Sequence, residues 1–462
     1  MKNQAKQLLV VLALLAGIPL AGAQTTFIPL YSFTGGHDGA LPQAGLMQAS
    51  DGYLYGATKF GGISNNFSGY GAIFRITTNG VFTSLYSFTN GNDGAYPYGS
   101  LVQASDGNLY GTALRGGTNG AGTVFRITTN GVFMPLYSFI PAHDGANPES
   151  GLVQAGDGYL YGTADQGGTN SFGTVFRITT NGVLASLYSF TGGNDGADPF
   201  AGLVSAGDGY LYGTTLYGGI SNGLTGYGTV FRITTNGVFT PFHSFTGGYD
   251  GANPQAGLTQ AGDGNLYGTT EYGGISNNLS GYGTFFRILI SGGPTPFLAP
   301  LYSFTNGNDG RYPLAGLVQA GDGNLYGTAN EGGADGDGVV FRITANGVLT
   351  PLYSFTDGND GRYPTAGLVQ AGDGNLYGTA YEGGTNGDGT VFKIAFPPPA
   401  LNVSSLGNQS VLFWPASAYN YVLQSATNLA SPNWVTVSNA MPIIGVTVTN
   451  SSPAQYFRLA NP

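Results

Sequence analysis

The tripeptide Leu-Tyr-Gly returns seven times, beginning at Leu54, Leu109, Leu160, Leu211, Leu266, Leu325 and Leu376. The intervals are 55, 51, 51, 55, 59 and 51 residues, so every excess over 51 is a multiple of four. A repeat of this length dictates the fold more than composition does. A single unit of about fifty residues cannot bury both faces of its own structure, so the units must pack on one another.

Residues 101–139, LVQASDGNLYGTALRGGTNGAGTVFRITTNGVFMPLYSF, show one unit. Four runs rich in Val, Leu, Tyr, Phe and Thr, each ended by turn residues, predict four antiparallel strands: a at 101–104, b at 108–113, c at 123–128 and d at 132–139. Asp106-Gly107 joins a to b and Asn130-Gly131 joins c to d. Both dipeptides tolerate the positive φ that a tight hairpin needs. The b–c connection runs through Gly116-Gly117 and is longer. Extra residues fall there in the first, fourth and fifth copies, in GGISNNFSGYG from Gly61, GGISNGLTGYG from Gly218 and GGISNNLSGYG from Gly273. The fifth copy also replaces the c–d turn with SGGPTPFLAP from Ser291.

Seven four-stranded units arranged radially predict an all-β, seven-bladed β-propeller over residues 24–396. The run 27–33 matches strand d, whereas the seventh copy stops after strand c at 391–394. Pairing the two would close the ring and leave neither edge open. A β-solenoid is the rival architecture, but it would have no use for an orphan d strand and would want polar capping units.

Before the repeats, residues 1–23 carry Lys2 and Lys6, an apolar run over 8–16 and Ala21-Gly22-Ala23, the layout of a secretory signal peptide. The expected location is therefore secreted or at the cell surface, with no membrane insertion once the leader is cut. Cysteine is absent, which excludes a disulfide framework and a lipid-anchored leader. The formal charge is −10, and −12 without Lys2 and Lys6. So acidic a chain repels nucleic acid and anionic lipid. Beyond the repeats, 397–400 is a Pro-rich break. Residues 401–462 hold Trp414 and Trp434 and read as short strands at 401–404, 410–414, 421–425, 434–437, 446–449 and 455–459. A small C-terminal β-sandwich of the fibronectin type III kind is expected, with both tryptophans in its core.

Residues common to all copies read as frame. Asp51, Asp106, Asp157, Asp208, Asp263, Asp322 and Asp373 occupy the a–b turn. Asp38, Asp93, Asp144, Asp195, Asp250, Asp309 and Asp360 occupy the d–a loop, and strand c carries an Arg in six copies and Lys393 in the seventh. This pattern predicts inter-blade hydrogen bonds or ion pairs. His37, His143 and His243 replace frame residues and form no catalytic or metal spacing.

The copies differ most on the face that holds the d–a and b–c loops. Its candidate ligand-binding residues are Phe60, Tyr70, Tyr217, Tyr227, Tyr272, Tyr282 and Tyr381, with Glu271, Glu331 and Glu382. Aromatic rings beside carboxylates and amides suit the apolar faces and hydroxyls of sugars. Asp165 and Glu271 are a candidate acid–base pair facing one channel. No cofactor is expected, although Asp335, Asp337 and Asp388 offer oxygen ligands for Ca²⁺.

The runs LYSFT-G-x-DG-x-x-P, GLVQA-x-DGNLYGT and GTVFRITTNG resemble the GloVer tandem repeat of exported bacterial choice-of-anchor proteins. The tail run WPASAYNYVLQSATNLASPNWVTV resembles fibronectin-like C-terminal modules. That resemblance implies a propeller-type repeat with a sorting or anchoring tail and carries no catalytic residues. The main expectation is an exported, non-enzymatic protein that binds glycan or a surface protein. Two alternatives stand beside it: an extracellular carbohydrate-active lyase or hydrolase with its site at the channel mouth, and a passive surface component.

Overall fold

The computed structural model describes residues 25–397 except 63–68, 221–225, 275–280 and 291–295, together with 401–406, 409–414, 422–427, 433–437, 446–449 and 455–460. The leader and most of the inserted loops lie outside these residues. Within them the chain is all-β and propeller-like, with seven four-stranded antiparallel sheets. In the first, strand a is Met47–Gln48, b is Leu54–Thr58, c is Ala72–Ile76 and d is Phe82–Ser87. Strand a is two residues long in every sheet, shorter than its apolar run predicts. Strand b carries the Leu-Tyr-Gly and is buried throughout.

The orphan strand behaves as its sequence predicts. Thr26–Ser32 pairs antiparallel with Thr390–Ala395 and completes the seventh sheet, with Phe27 opposite Ile394 and Ser32 opposite Thr390. Phe27 stacks on Phe392 at 5.2 Å and on Tyr353 of the sixth sheet at 3.9 Å.

A closed circuit of small residues shows that the sheets surround one axis. A Cβ on Gly151 would lie 2.7 Å from the Ser100 carbonyl oxygen, one on Gly202 3.2 Å from that of Gly151, and one on Gly257 3.6 Å from that of Gly202. The series continues through Gly316 and Gly367 to Gly45, whose own Cβ would meet Gly367 O at 3.4 Å and Ser100 Oγ at 2.8 Å. The approach is tightest at Gly151, where an added Cβ would clash, and looser at Gly257 and Gly316.

Each junction between neighbouring sheets has its own core. Ala49, Tyr55, Ile73 and Phe88 of the first sheet pack with Leu101, Leu109, Phe125 and Ile127 of the second. The seventh and first sheets meet likewise through Val391, Tyr377, Phe33, Leu46 and Phe74. Full burial of one such side chain contributes ~1.5–3 kcal/mol. Most of the stabilisation therefore lies between units.

Polar latches add register. The Ser50 amide donates to Gln103 Oε1 at 2.8 Å, and the same bond closes the circle from the Gly372 amide to Gln48 Oε1 at 2.7 Å. The a–b turn aspartate accepts from the strand b tyrosine, as in Tyr55 to Asp51 at 2.7 Å. Two strand c arginines form hydrogen bonds across junctions, Arg75 to Thr129 O at 3.1 Å and Arg177 to Thr235 O at 3.2 Å, while Arg126 and Arg342 bond within their own sheets. The first two also lie over tyrosine rings, with Arg75 4.5 Å from the Tyr53 centroid. Among the described residues, the ion pair expected at this place forms only where lysine replaces arginine, Lys393 with Asp373 at 3.1 Å.

The tail forms two three-stranded sheets. Trp414 is 1% exposed and shares a small core with Leu412 and Leu423. Trp434 does not join them; it is half-buried beneath the Arg458 guanidinium, 4.3 Å away.

Candidate functional site

Each copy places two variable positions around the axis on the long-loop face. The inner position lies two residues before the circuit of small residues: Gln43, Tyr98, Glu149, Phe200, Gln255, Leu314 and Thr365. The second directly follows strand b: Lys59, Leu114, Asp165, Leu216, Glu271, Asn330 and Tyr381. Two residues before the inner position, in every copy, a residue just before proline takes a left-handed backbone, with φ from 54° to 58° at Leu41, Tyr96, Asn147, Asp198, Asn253, Tyr312 and Tyr363. That conformation costs a non-glycine residue roughly 1–3 kcal/mol and persists only when neighbours hold it. Here the preceding sheet holds it: the Asn147 amide donates to Ala121 O at 2.9 Å, while Asn147 O accepts from the Asp165 amide at 3.1 Å.

This scaffold gathers acids on one side of the mouth. Asp165 is 8% exposed, while Glu149 and Asp198 are half-buried. Burial, then the neighbouring Asp165 carboxylate, raises Glu149 to about 7 against the pull of Lys59 and Arg115. Asp165 is also raised to about 7, by burial and then by Asp198, and Asp198 is itself raised by burial. Groups coupled in this way titrate as a set, so near neutrality the cluster holds protonated and ionised carboxyls side by side. Burial lowers the Lys59 ammonium. Arg115 is anchored by Asn147 Oδ1 at 2.8 Å.

Aromatic and neutral polar groups complete the mouth. Gln43 donates its amide to the Tyr98 hydroxyl, and Tyr98 meets Phe200 edge-on at 5.6 Å. Gln43 Oε1, Asn330 Oδ1 and Thr365 Oγ1 are buried with no hydrogen-bond partner. An orphaned buried acceptor costs ~1–3 kcal/mol.

The residues singled out by sequence divide into groups. Tyr381 reaches the mouth, close enough to act electrostatically on Tyr98. Phe60 and Tyr70 meet at Tyr96, 5.3 and 5.9 Å away, while Tyr272 and Tyr282 meet at Tyr312, 5.3 and 6.3 Å away. These are half-buried packing clusters at blade junctions. Tyr227 lies against Gly247, and Tyr217 is exposed. Glu331 and Glu382 are taken by Arg311 and Arg362, with Nε to Oε2 distances of 2.9 and 3.1 Å. Glu271 sits with Gln255 and Tyr272 and is raised by burial.

The expected pairing of Asp165 with Glu271 is corrected. The acids that act on Asp165 and Glu149 come from the third and fourth sheets, whereas Glu271 belongs to the fifth. Glu149, Asp198, Tyr98 and Phe200 lie outside the position before Gly-Gly, where the copies differ most visibly in sequence. The equally variable position before strand a carried the same signal.

The recurring d–a aspartates are frame, but they bracket their own loop and do not bond across blades as expected: Asp93 accepts from the Tyr86 hydroxyl at 3.0 Å and the Thr89 amide and hydroxyl at 2.8 and 2.6 Å. His243 replaces the tyrosine and bonds Asp250 at 3.1 Å, and His37 Nδ1 lies 3.1 Å from Gly62 O. Among the described residues no group of three or more His, Asp or Glu is arranged to hold a metal ion. Asp388 instead lies against Gly35 and is raised by burial and Asp38.

Fold and site together define an all-β, propeller-like repeat protein with an acid cluster at one end of its axis. The chain belongs to the Gloeobacter/Verrucomicrobia repeat family, whose profile matches residues 18–225 and 216–406. No curated protein matches it. Among solved structures it is similar to one described as a putative 6-phosphogluconolactonase from Bacteroides fragilis, at 15% identity over 85% of this chain and 94% of that one, with a TM-score of 0.44. Another, described as a gluconolactonase from Xanthomonas campestris, matches at 12% identity over 81% and 90%, with a TM-score of 0.42. The likeness is one of architecture.

The expectation of a non-enzymatic binding protein is corrected here. The mouth of this chain holds a cluster of carboxyls raised to about 7 at Glu149 and Asp165, whereas a binding role called for an aromatic shelf without such a cluster.

Proposed function

We propose that the chain is an exported carbohydrate-active hydrolase working at the mouth of a seven-bladed propeller, with residues 401–462 as an appended β-sandwich. The observation that carries the reading is the buried cluster of Glu149, Asp165 and Asp198, raised to about 7 at its first two members. Perturbed carboxyls of that kind mark acid–base sites. The leader over 1–23 supports export.

In this reading Asp165, the most buried of the three, holds the proton and delivers it to the leaving glycosidic oxygen as the C–O bond breaks. Glu149, which faces Lys59 as well as Arg115, is the ionised partner and accepts a proton from the water that attacks the anomeric carbon. The proton count closes when Glu149 returns its proton through solvent and Asp165 regains one.

The test is a screen of the mature protein against neutral and acidic polysaccharides, with reducing ends assayed from pH 4 to 9. Hydrolysis that Glu149→Gln or Asp165→Asn lowers by at least ~10²-fold supports the reading. Release of unsaturated products absorbing near the ultraviolet edge would replace it with a lyase, and turnover indifferent to both substitutions would overturn it.

A further inference from the structure

Tyr98 occupies the inner position of the second sheet, yet its ring engages groups from four others. Gln43 and Lys59 come from the first sheet, with Lys59 Nζ 5.2 Å from the ring centroid. Phe200 comes from the fourth at 5.6 Å, and Glu149 of the third and Tyr381 of the seventh are electrostatic neighbours. A side chain that meets partners from so many directions around a ring stands across its axis. We propose that Tyr98 and Phe200 form the floor of a blind pocket, so that the site accepts the end of a carbohydrate chain and removes units from that end.

The proposal rests on the hydrolase reading above and adds the mode of attack. An internal segment of a polymer needs two exits from the bond being cut. At this mouth the floor closes one of them, and Glu149 lies beside the floor, so a scissile bond must come down to it. Two residues after each inner position comes the circuit of Gly45, Ser100, Gly151 and their equivalents, whose small residues let neighbouring segments approach closely. The floor also suits a terminal sugar. Aromatic faces take the C–H face of a pyranose. Lys59 over the Tyr98 ring holds the floor in place by a cation–π contact.

The experiment gives the full mature chain linear six-unit oligosaccharides and the parent polysaccharides of β-glucan, xylan, mannan and chitosan, and follows product length and viscosity. Release of single units from the first time point, with viscosity falling only in proportion to sugar released, is the expected result. Tyr98→Ala and Phe200→Ala should lower kcat/KM at least ~10-fold and add longer products, with melting temperature checked to show that the variants fold. A rapid fall in viscosity with products of mixed length overturns the chain-end proposal and leaves the hydrolase reading standing. If the chains bind without being cut, the hydrolase reading falls, and the pocket survives only if one sugar unit binds within tenfold of the six-unit chain by calorimetry. Neither turnover nor binding of any probe overturns both.

Discussion

Glu149 and Asp165 fold with their carboxyls held above the ordinary range, and this has a thermodynamic consequence as well as a catalytic one. A group whose folded pKa is raised keeps more protons in the native state between its unfolded value and about 7, so stability falls as pH rises through that window. Replacing either acid with its amide should therefore abolish activity while stabilising the protein at pH 8 by on the order of 2 kcal/mol, with little change at pH 4. Urea unfolding at the two pH values checks this, and an amide variant less stable at pH 8 would refute it. Opposite behaviour is expected of Asp93, whose role is structural. Asp93→Ala removes four hydrogen bonds in a buried bracket and should cost ~2–4 kcal/mol at neutral pH without altering the pH optimum. Sequence reading separated these two kinds of aspartate well, because one recurs in all seven copies and the other does not. It found Asp165 and passed over Glu149 and Asp198, whose meeting depends on how two neighbouring blades face each other.

The element that sets the mouth is the left-handed residue before each proline. Its side chain is variable while its backbone is not, since both its N–H and its C=O are used across or within the sheets. Leu41→Val should destabilise by ~1–2 kcal/mol, because a β-branched side chain tolerates positive φ poorly. Leu41→Gly should be nearly neutral, strain relief offsetting the greater freedom of the unfolded chain. Thermal melts of the two variants distinguish this from a simple loss of side-chain contact, which would rank glycine as the worse. No sequence rule predicts positive φ here, since the residue before proline is biased toward extended backbone. By contrast, the Asp-Gly and Asn-Gly turns were legible from local chemistry alone, and Gly107 and Gly131 take φ of 83° and 91° as expected.

At the scale of the whole molecule, closure by Thr26–Ser32 is the contact of longest sequence separation and the one most exposed to a simple test. Deleting residues 25–33 removes a strand from the seventh sheet together with buried Phe33 and the stacked Phe27. The loss should exceed ~5 kcal/mol from those aromatic side chains and the edge left open. Size-exclusion chromatography should show association through the bared edge of Thr390–Ala395, and a monomer with unchanged melting temperature would count against a closed ring. The sequence by itself determined the number of repeats, the four strands of each, their turns, the frame residues and the strand that completes the last sheet. All of these follow from local propensity and from recurrence, which a linear reading sees. Only the tertiary structure decided which variable positions share the axis, because residues more than fifty positions apart become neighbours when the blades close. It brought Glu149 against Asp165 and Asp198, laid Tyr98 across the mouth, and thereby shifted the pKa values, which depend on burial and on charges that no single repeat contains.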